Sequence, residues 1–198
     1  MENQIETLKT YEEKFEKYFD ETPSVVSGDF KDFFELIMVM LPPVGAKMLE
    51  IGSGTGRDAD YFDEYGVWVK RTDVTKSFIE YQKSKGKSIT PLNILTDPIE
   101  GKWNVVFANA VLLHFTEKQF SFILTKIARS LVPGGMVAFT VKTGVGEEWS
   151  VHKMESPRFF KYWQRESLQH AVEECGFKVT YLELATEGKR LFCIAHLV

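Results

Sequence analysis

The stretch Glu50-Ile51-Gly52-Ser53-Gly54-Thr55-Gly56 limits the fold more than any other part of the chain. The short apolar run Lys47–Ile51 precedes it, and helical character resumes from Arg57 to Tyr65, so the glycines sit on a strand-to-helix turn. Glycine allows the positive φ and close backbone approach of such a turn, and the helix beyond it offers free N–H groups to a ligand. On the glycines alone the lesser alternative is a tight connection with no ligand.

The elements beyond the turn set the architecture. Trp68 to Thr72 reads as strand, Lys76 to Lys85 as helix, Ser88 to Ile94 as a weaker strand and Trp103 to Asn109 as strand. Glu117 to Leu131 then reads as helix and Met136 to Lys142 as strand. Strands separated by helices imply a parallel sheet joined by right-handed crossovers. The ending differs: after a loop from Thr143 to Ser156 and a helix from Glu166 to Glu174, the runs Lys178 to Ala185 and Arg190 to Val198 flank Thr186-Glu187-Gly188-Lys189 as a hairpin. Upstream, apolar residues from Ile5 to Phe19 recur at helical spacing before the Thr22-Pro23-Ser24 break, and a second helix runs from about Asp29 to Leu41.

Length and composition fit one domain, residues 1–198, with 1–44 as a helical lid and 45–198 as the core: the chain has 198 residues, 44% of them hydrophobic and 14% aromatic. With 24 basic against 28 acidic side chains and no basic block, it shows no clear nucleic-acid footprint. Cys175 and Cys193 have neither CxxC nor Cys/His metal spacing. The first 21 residues carry no apolar segment of the secretory kind, and the apolar run from Phe33 to Val44 is too short to cross a bilayer. A cytoplasmic location, no membrane, and a monomer or homodimer are the expectations.

In a doubly wound sheet the ligand crevice lies beyond the carboxyl ends of the strands, with the first loop at its centre. A nicotinamide site there expects G-x-G-x-x-G, but that third position is Arg57; the third glycine comes one place earlier, at Gly56, and Glu50 stands two places before the first. This arrangement resembles motif I of class I S-adenosylmethionine-dependent methyltransferases. Leu131-Val132-Pro133-Gly134-Gly135 resembles the turn before that family's fifth strand, and the final hairpin is similar to its antiparallel seventh strand. The resemblance implies a Rossmann-like α/β fold: a seven-stranded, mostly parallel sheet with an antiparallel C-terminal hairpin strand and helices on both faces.

The same resemblance assigns the cofactor, S-adenosyl-L-methionine, with S-adenosyl-L-homocysteine as product, and its site: Glu50, Gly52, Ser53, Gly54 and Gly56 in the turn, with Asp73 and Val74 at the end of the second strand. Asp73 would accept the ribose hydroxyls, a role that does not by itself separate this cofactor from a dinucleotide. Asn93 and Ile94 would contact the adenine, and Asn109 and Ala110 the methionine moiety. Asn93 reads equally well as an ordinary turn residue. Asp58 either binds the donor's amino group or simply favours the start of its helix. Tyr11 and Tyr18, seven residues apart on one helix face, either close over the cofactor or pack in the core.

Methyl transfer is an in-line displacement in which positioning supplies much of the catalysis. A hydroxyl, amine or thiol acceptor can also need a base; His114, just past the fourth strand, is the candidate, the alternative being that it only packs or caps. The segments Lys142 to Trp149 and Arg158 to Tyr162, similar to a subgroup of such enzymes, would face the open side of the pocket and suit a small-molecule acceptor. The expected activity is methyl transfer to an O, N or S atom of that molecule. The alternatives are a catalytically silent S-adenosylmethionine-binding regulator or partner subunit and, against the Arg57 and hairpin signals, a nicotinamide-dependent oxidoreductase.

Overall fold

The computed structural model describes residues 2–198. Its central feature is a sheet in which strands β1 (Lys47–Ile51), β2 (Trp68–Asp73), β3 (Ile89–Pro91), β4 (Trp103–Ala108) and β5 (Leu131–Thr143) run parallel in the order β3-β2-β1-β4-β5. The chain order reverses between β1 and β4, which places the glycine turn at the switch point of the sheet.

Both faces are covered, and the strands therefore read as near-continuous apolar runs. Met48, Val105, Phe107, Met136 and Ala138 face α3 (Asp29–Met40) and α4 (Arg57–Glu64), where Phe33, Phe34 and Phe62 complete one core. Leu49, Val106, Val137 and Phe139 face the other way, onto α6 (Glu117–Ser130) and α7 (Arg165–Glu173), through Phe120, Ile123, Ile127 and Leu168. Each such aromatic or branched side chain stabilises the fold by roughly 1.5–3 kcal/mol on burial.

The terminal hairpin is present: β8 (Phe177–Leu184) pairs antiparallel with β9 (Arg190–Leu197), and β9 lies antiparallel against β5 from Met136 to Lys142. The sheet has nine strands where seven are expected. Of the extra pair, β6 (Glu147–Ser150) falls within the open loop expected from Thr143 to Ser156, and β7 (Arg158–Trp163) follows directly after it. β7 pairs with β5 at Lys142 and Thr143, beyond the end of β4, and so stands over the carboxyl edge of the sheet.

The N-terminal segment divides. A single helix to Glu21 is expected, but Lys14 breaks it into α1 (Glu2–Glu13) and α2 (Phe15–Glu21), which lets Phe15 and Phe19 pack on Tyr81 of α5 (Lys76–Ser84). These two helices cover the switch point, whereas α3 is part of the core below. Glu12 ties the cover down: its carboxylate accepts the Lys76 N–H, the Ser77 N–H at 3.0 Å and the Ser77 hydroxyl at 2.8 Å, at the N-terminus of α5.

Candidate active site

The turn after β1 is built as its glycines imply. Gly52 has φ +71°, and a Cβ there would lie 2.5 Å from a Val111 methyl carbon; Gly56, with φ +88°, begins α4 in the left-handed conformation. Ser53 N–H donates to the Thr72 carbonyl at 2.8 Å, clamping the turn to β2. Beneath it Glu50 is buried and accepts the Ser53 hydroxyl. Burial, reinforced by the charge of Asp58, pushes its carboxyl up to about 8, so near neutrality it is mostly protonated. Glu50 and Gly56 therefore shape the turn from below and lie outside both cavities that open beside it.

The first cavity, with about 830 Å³ of free space, is lined by Ile51, Gly52 and Gly54 on the floor, by Asp73, Val74, Phe78 and Leu92 to one side, and by Asn109, Ala110, Val111 and His114 to the other. Tyr11 and Tyr18 from the helical cover close it. Asp73, the last residue of β2, is buried; its two carboxylate oxygens accept the Gly54 and Thr75 N–H groups at 2.8 Å each. Burial holds this carboxyl above the usual range against those backbone donors. An acceptor-only group fixed by the backbone in an apolar cavity still has lone pairs to offer, and a pair of ligand hydroxyls fits it.

Asn93 reaches the same cavity by a different route than expected. β3 ends at Pro91, so Asn93 falls in the turn beyond it, where its side-chain oxygen accepts the Leu95 N–H at 3.0 Å and its own N–H donates to Asp97 at 2.8 Å. Ile94 is buried beside it and lines the cavity. At the end of β4, Asn109 donates to Asp58 at 2.7 Å and accepts the Thr140 hydroxyl at 2.7 Å, while Ala110, at φ +56°, donates its N–H to the Thr140 oxygen at 2.9 Å. A non-glycine residue in that region is strained by roughly 1–2 kcal/mol, and here Thr140 and the strand end hold it. Asp58 also accepts Arg57 at 2.6 Å and lines the second cavity with Ser53.

His114 sits at the junction of the two cavities. Its Nδ1 lies 2.7 Å from the Phe159 carbonyl, which can only accept, so the proton is on Nδ1; Nε2, 2.9 Å from the Tyr11 hydroxyl, then accepts from it. Burial, which outweighs the Phe159 carbonyl, pushes the imidazole down to about 3, and it is neutral at physiological pH. Arg158 donates to the Tyr11 oxygen at 3.3 Å, completing a chain from guanidinium to phenol to imidazole.

The second cavity, the larger of the two, is lined among others by Phe30, Phe160, Tyr162 and Glu148 and by the cations Arg57, Lys142, Lys153, Arg158 and Arg190. The sequence marks Lys142 and Arg158 as pocket-facing but not Lys153 or Arg190, which lie far apart in the chain and share no local spacing. Phe78 and Leu92, walls of the first cavity, escape notice for another reason: each reads simply as core.

A parallel sheet with its glycine turn at the switch point and a buried carboxylate at the end of β2 defines a nucleotide-type α/β enzyme. Residues 26–182 match the model of a family described as a methyltransferase domain, and the chain belongs to that family. This displaces the nicotinamide alternative. Among solved structures, it is similar to the CcbJ methyltransferase of Streptomyces caelestis, with 14% identity and a TM-score of 0.73 over 96% of this chain and 98% of the other. A Methanosarcina mazei protein described as a SAM-dependent methyltransferase matches with 15% identity and TM-score 0.71, over 82% and 97% of the two chains. The 1,6-didemethyltoxoflavin-N1-methyltransferase of Burkholderia thailandensis, solved with bound 1,6-didemethyltoxoflavin and S-adenosylhomocysteine, matches with 16% identity and TM-score 0.71, over 96% and 85%. No curated protein sequence matches the chain. Among the described residues no helix is long and apolar enough to cross a membrane.

Proposed function

We propose that the protein transfers a methyl group from S-adenosylmethionine to an O, N or S atom of a small molecule, with the donor's nucleoside in the first cavity, its amino-acid end reaching the Asp58 side of the second, and the acceptor in the remainder of the second. The observation that carries this reading is Asp73, a buried carboxylate with no cationic partner among the described residues, bonded to Gly54 of the turn and lining a mostly apolar cavity. The toxoflavin-type methyltransferase and its bound ligands lend the small-molecule reading support.

S-adenosylmethionine supplies an activated methyl group on a sulfonium sulfur. Asp73 would accept the ribose hydroxyls, Val74, Phe78, Leu92 and Ile94 would enclose the adenine, and Asn93 would meet its edge through the turn it caps. Gly52 and Gly54 allow the backbone to approach closely. Asn109, Ala110 and Asp58 would hold the amino-acid end, Asp58 through the carboxylate oxygens it already presents to Arg57 and Asn109. Tyr11 closes the cavity from above, held at its hydroxyl by His114 and Arg158.

His114 meets the reacting region with its one lone pair already engaged. In this arrangement it orients Tyr11; as a proton acceptor it would serve only with Tyr11 turned away. Exclusion of water and alignment of the two partners then carry most of the rate, an effect worth several kcal/mol.

Calorimetry with S-adenosylhomocysteine and with NAD tests the donor site: micromolar affinity for NAD and none for the nucleoside thioether would overturn it. Incubation with methyl-labelled donor and metabolite extracts tests the enzyme against a silent binder, since labelled product arises only from transfer.

A further inference from the structure

Besides Arg57, which is paired with Asp58, four cations converge on the second cavity from separate places: Lys142 at the end of β5, Lys153 in the β6–β7 connection, Arg158 at the start of β7 and Arg190 at the start of β9. None of them lines the first cavity. Lys142 and Arg190 are direct partners across the antiparallel β5–β9 ladder, where like charges repel. The carboxylates available in this cavity are engaged elsewhere: Glu148 accepts the Tyr162 hydroxyl at 2.7 Å, and Asp58 is held by Arg57 and Asn109.

The guanidinium groups have unmet donors. Arg158, 7% exposed, places Nη1 on Tyr11 and Nη2 on the His152 carbonyl, leaving its buried Nε without a partner. Arg190 leaves both Nε and Nη1 buried and unpartnered. A buried, unpaired donor on a charged group is costly, and two such groups lining one cavity mark a place built for a ligand that accepts. Burial, and after it repulsion from Arg158 and Arg190, holds the Lys142 and Lys153 ammonium groups below their usual range.

The walls between the cations are aromatic. The Lys142 ammonium lies 3.6 Å from the centre of the Phe160 ring, and Arg190 stacks over Phe30 at 5.2 Å. Resting on the methyltransferase reading above, we propose that the methyl acceptor is an anionic small molecule, its carboxylate or phosphate held by Lys142, Lys153, Arg158 and Arg190 and its carbon skeleton set against Phe30, Phe160 and Tyr162. Arginine in particular binds either oxyanion through paired N–H groups. The donor's own carboxylate would offset a single charge, so it does not by itself account for four cations.

The test uses benzoate, phenyl phosphate and the neutral benzamide as probes, monitored by ligand-observed NMR at fixed ionic strength, with and without saturating S-adenosylhomocysteine. The expected result is that at least one anion binds about tenfold or more tighter than benzamide, and that this preference falls about fivefold or more in Lys142→Gln and in Arg190→Gln. The tighter of the two anions assigns carboxylate or phosphate. Circular dichroism checks that both variants fold, and affinity for S-adenosylhomocysteine in the same samples reports the donor site independently. Benzamide binding as well as both anions, no binding of either anion, or an anion preference unchanged in the two folded variants would each overturn the proposal.

Discussion

The Tyr11 hydroxyl stands 2.9 Å from Nε2 of His114, and the opposite ring nitrogen is committed to the Phe159 carbonyl, so the cover over the cavity and the imidazole beneath it share one hydrogen bond. The imidazole is thereby fixed as the Nδ1–H tautomer. Its ring should show no titration by heteronuclear NMR between pH 8 and about 4.5, because burial pushes it down to about 3. A midpoint near 6.5 would return His114 to the role of a free proton acceptor.

Asp73 joins the glycine turn to the cavity wall. Asp73→Ala should weaken S-adenosylhomocysteine binding by about 1.5–3 kcal/mol, since hydrogen bonds to a charged group are lost. Calorimetry gives the number, and unchanged affinity would remove Asp73 from the ribose site. Asp73→Asn, which keeps one acceptor oxygen, should fall between.

Gly52 admits no side chain. Gly52→Ala places a methyl 2.5 Å from Val111 at a φ of +71°, so denaturant unfolding should show a loss of roughly 1–2 kcal/mol or more from the backbone alone. Adding Val111→Ala relieves the clash but not the backbone term. Recovery in the double variant should therefore be incomplete.

Glu50 makes stability depend on pH in an unusual direction. Its carboxyl is raised from 4.5 to about 8 in the fold, so between those values the native state binds more protons than the unfolded chain, and stability falls as pH rises. The slope from this group is at most about 1.4 kcal/mol per pH unit. Glu50→Gln should flatten the fall between about pH 5 and 8, measured by urea unfolding at several pH values. An equally steep fall in the variant would place the source elsewhere.

The parts of this molecule that are legible in its sequence are those where local chemistry and global position coincide. Gly52, Gly54 and Gly56 have to lie on a strand-to-helix turn, and Asp73 closes a strand whose periodicity is plain. The β6–β7 pair is hidden because Glu147, Glu148 and Trp149 are all exposed and show no alternating face, while Arg158, Phe159 and Phe160 are consecutively buried. Asn93 reads as part of the third strand but lies past its end, since β3 stops at Pro91 and the side chain turns to its own backbone. The cation cluster leaves no local signature, because only the pairing of β5, β7 and β9 brings its members together.

Glu12 is both part of the cover and the cap of another helix. Lifting α1 away from the first cavity strips the Lys76 and Ser77 amides of their acceptor, so opening the site and fraying the start of α5 are one event. Those two amides should then exchange with deuterium at the rate the cover opens, and slow together when a ligand fills the cavity. Were the proposed donor to occupy the first cavity, the escape of its spent nucleoside would be timed by the uncapping of a neighbouring helix.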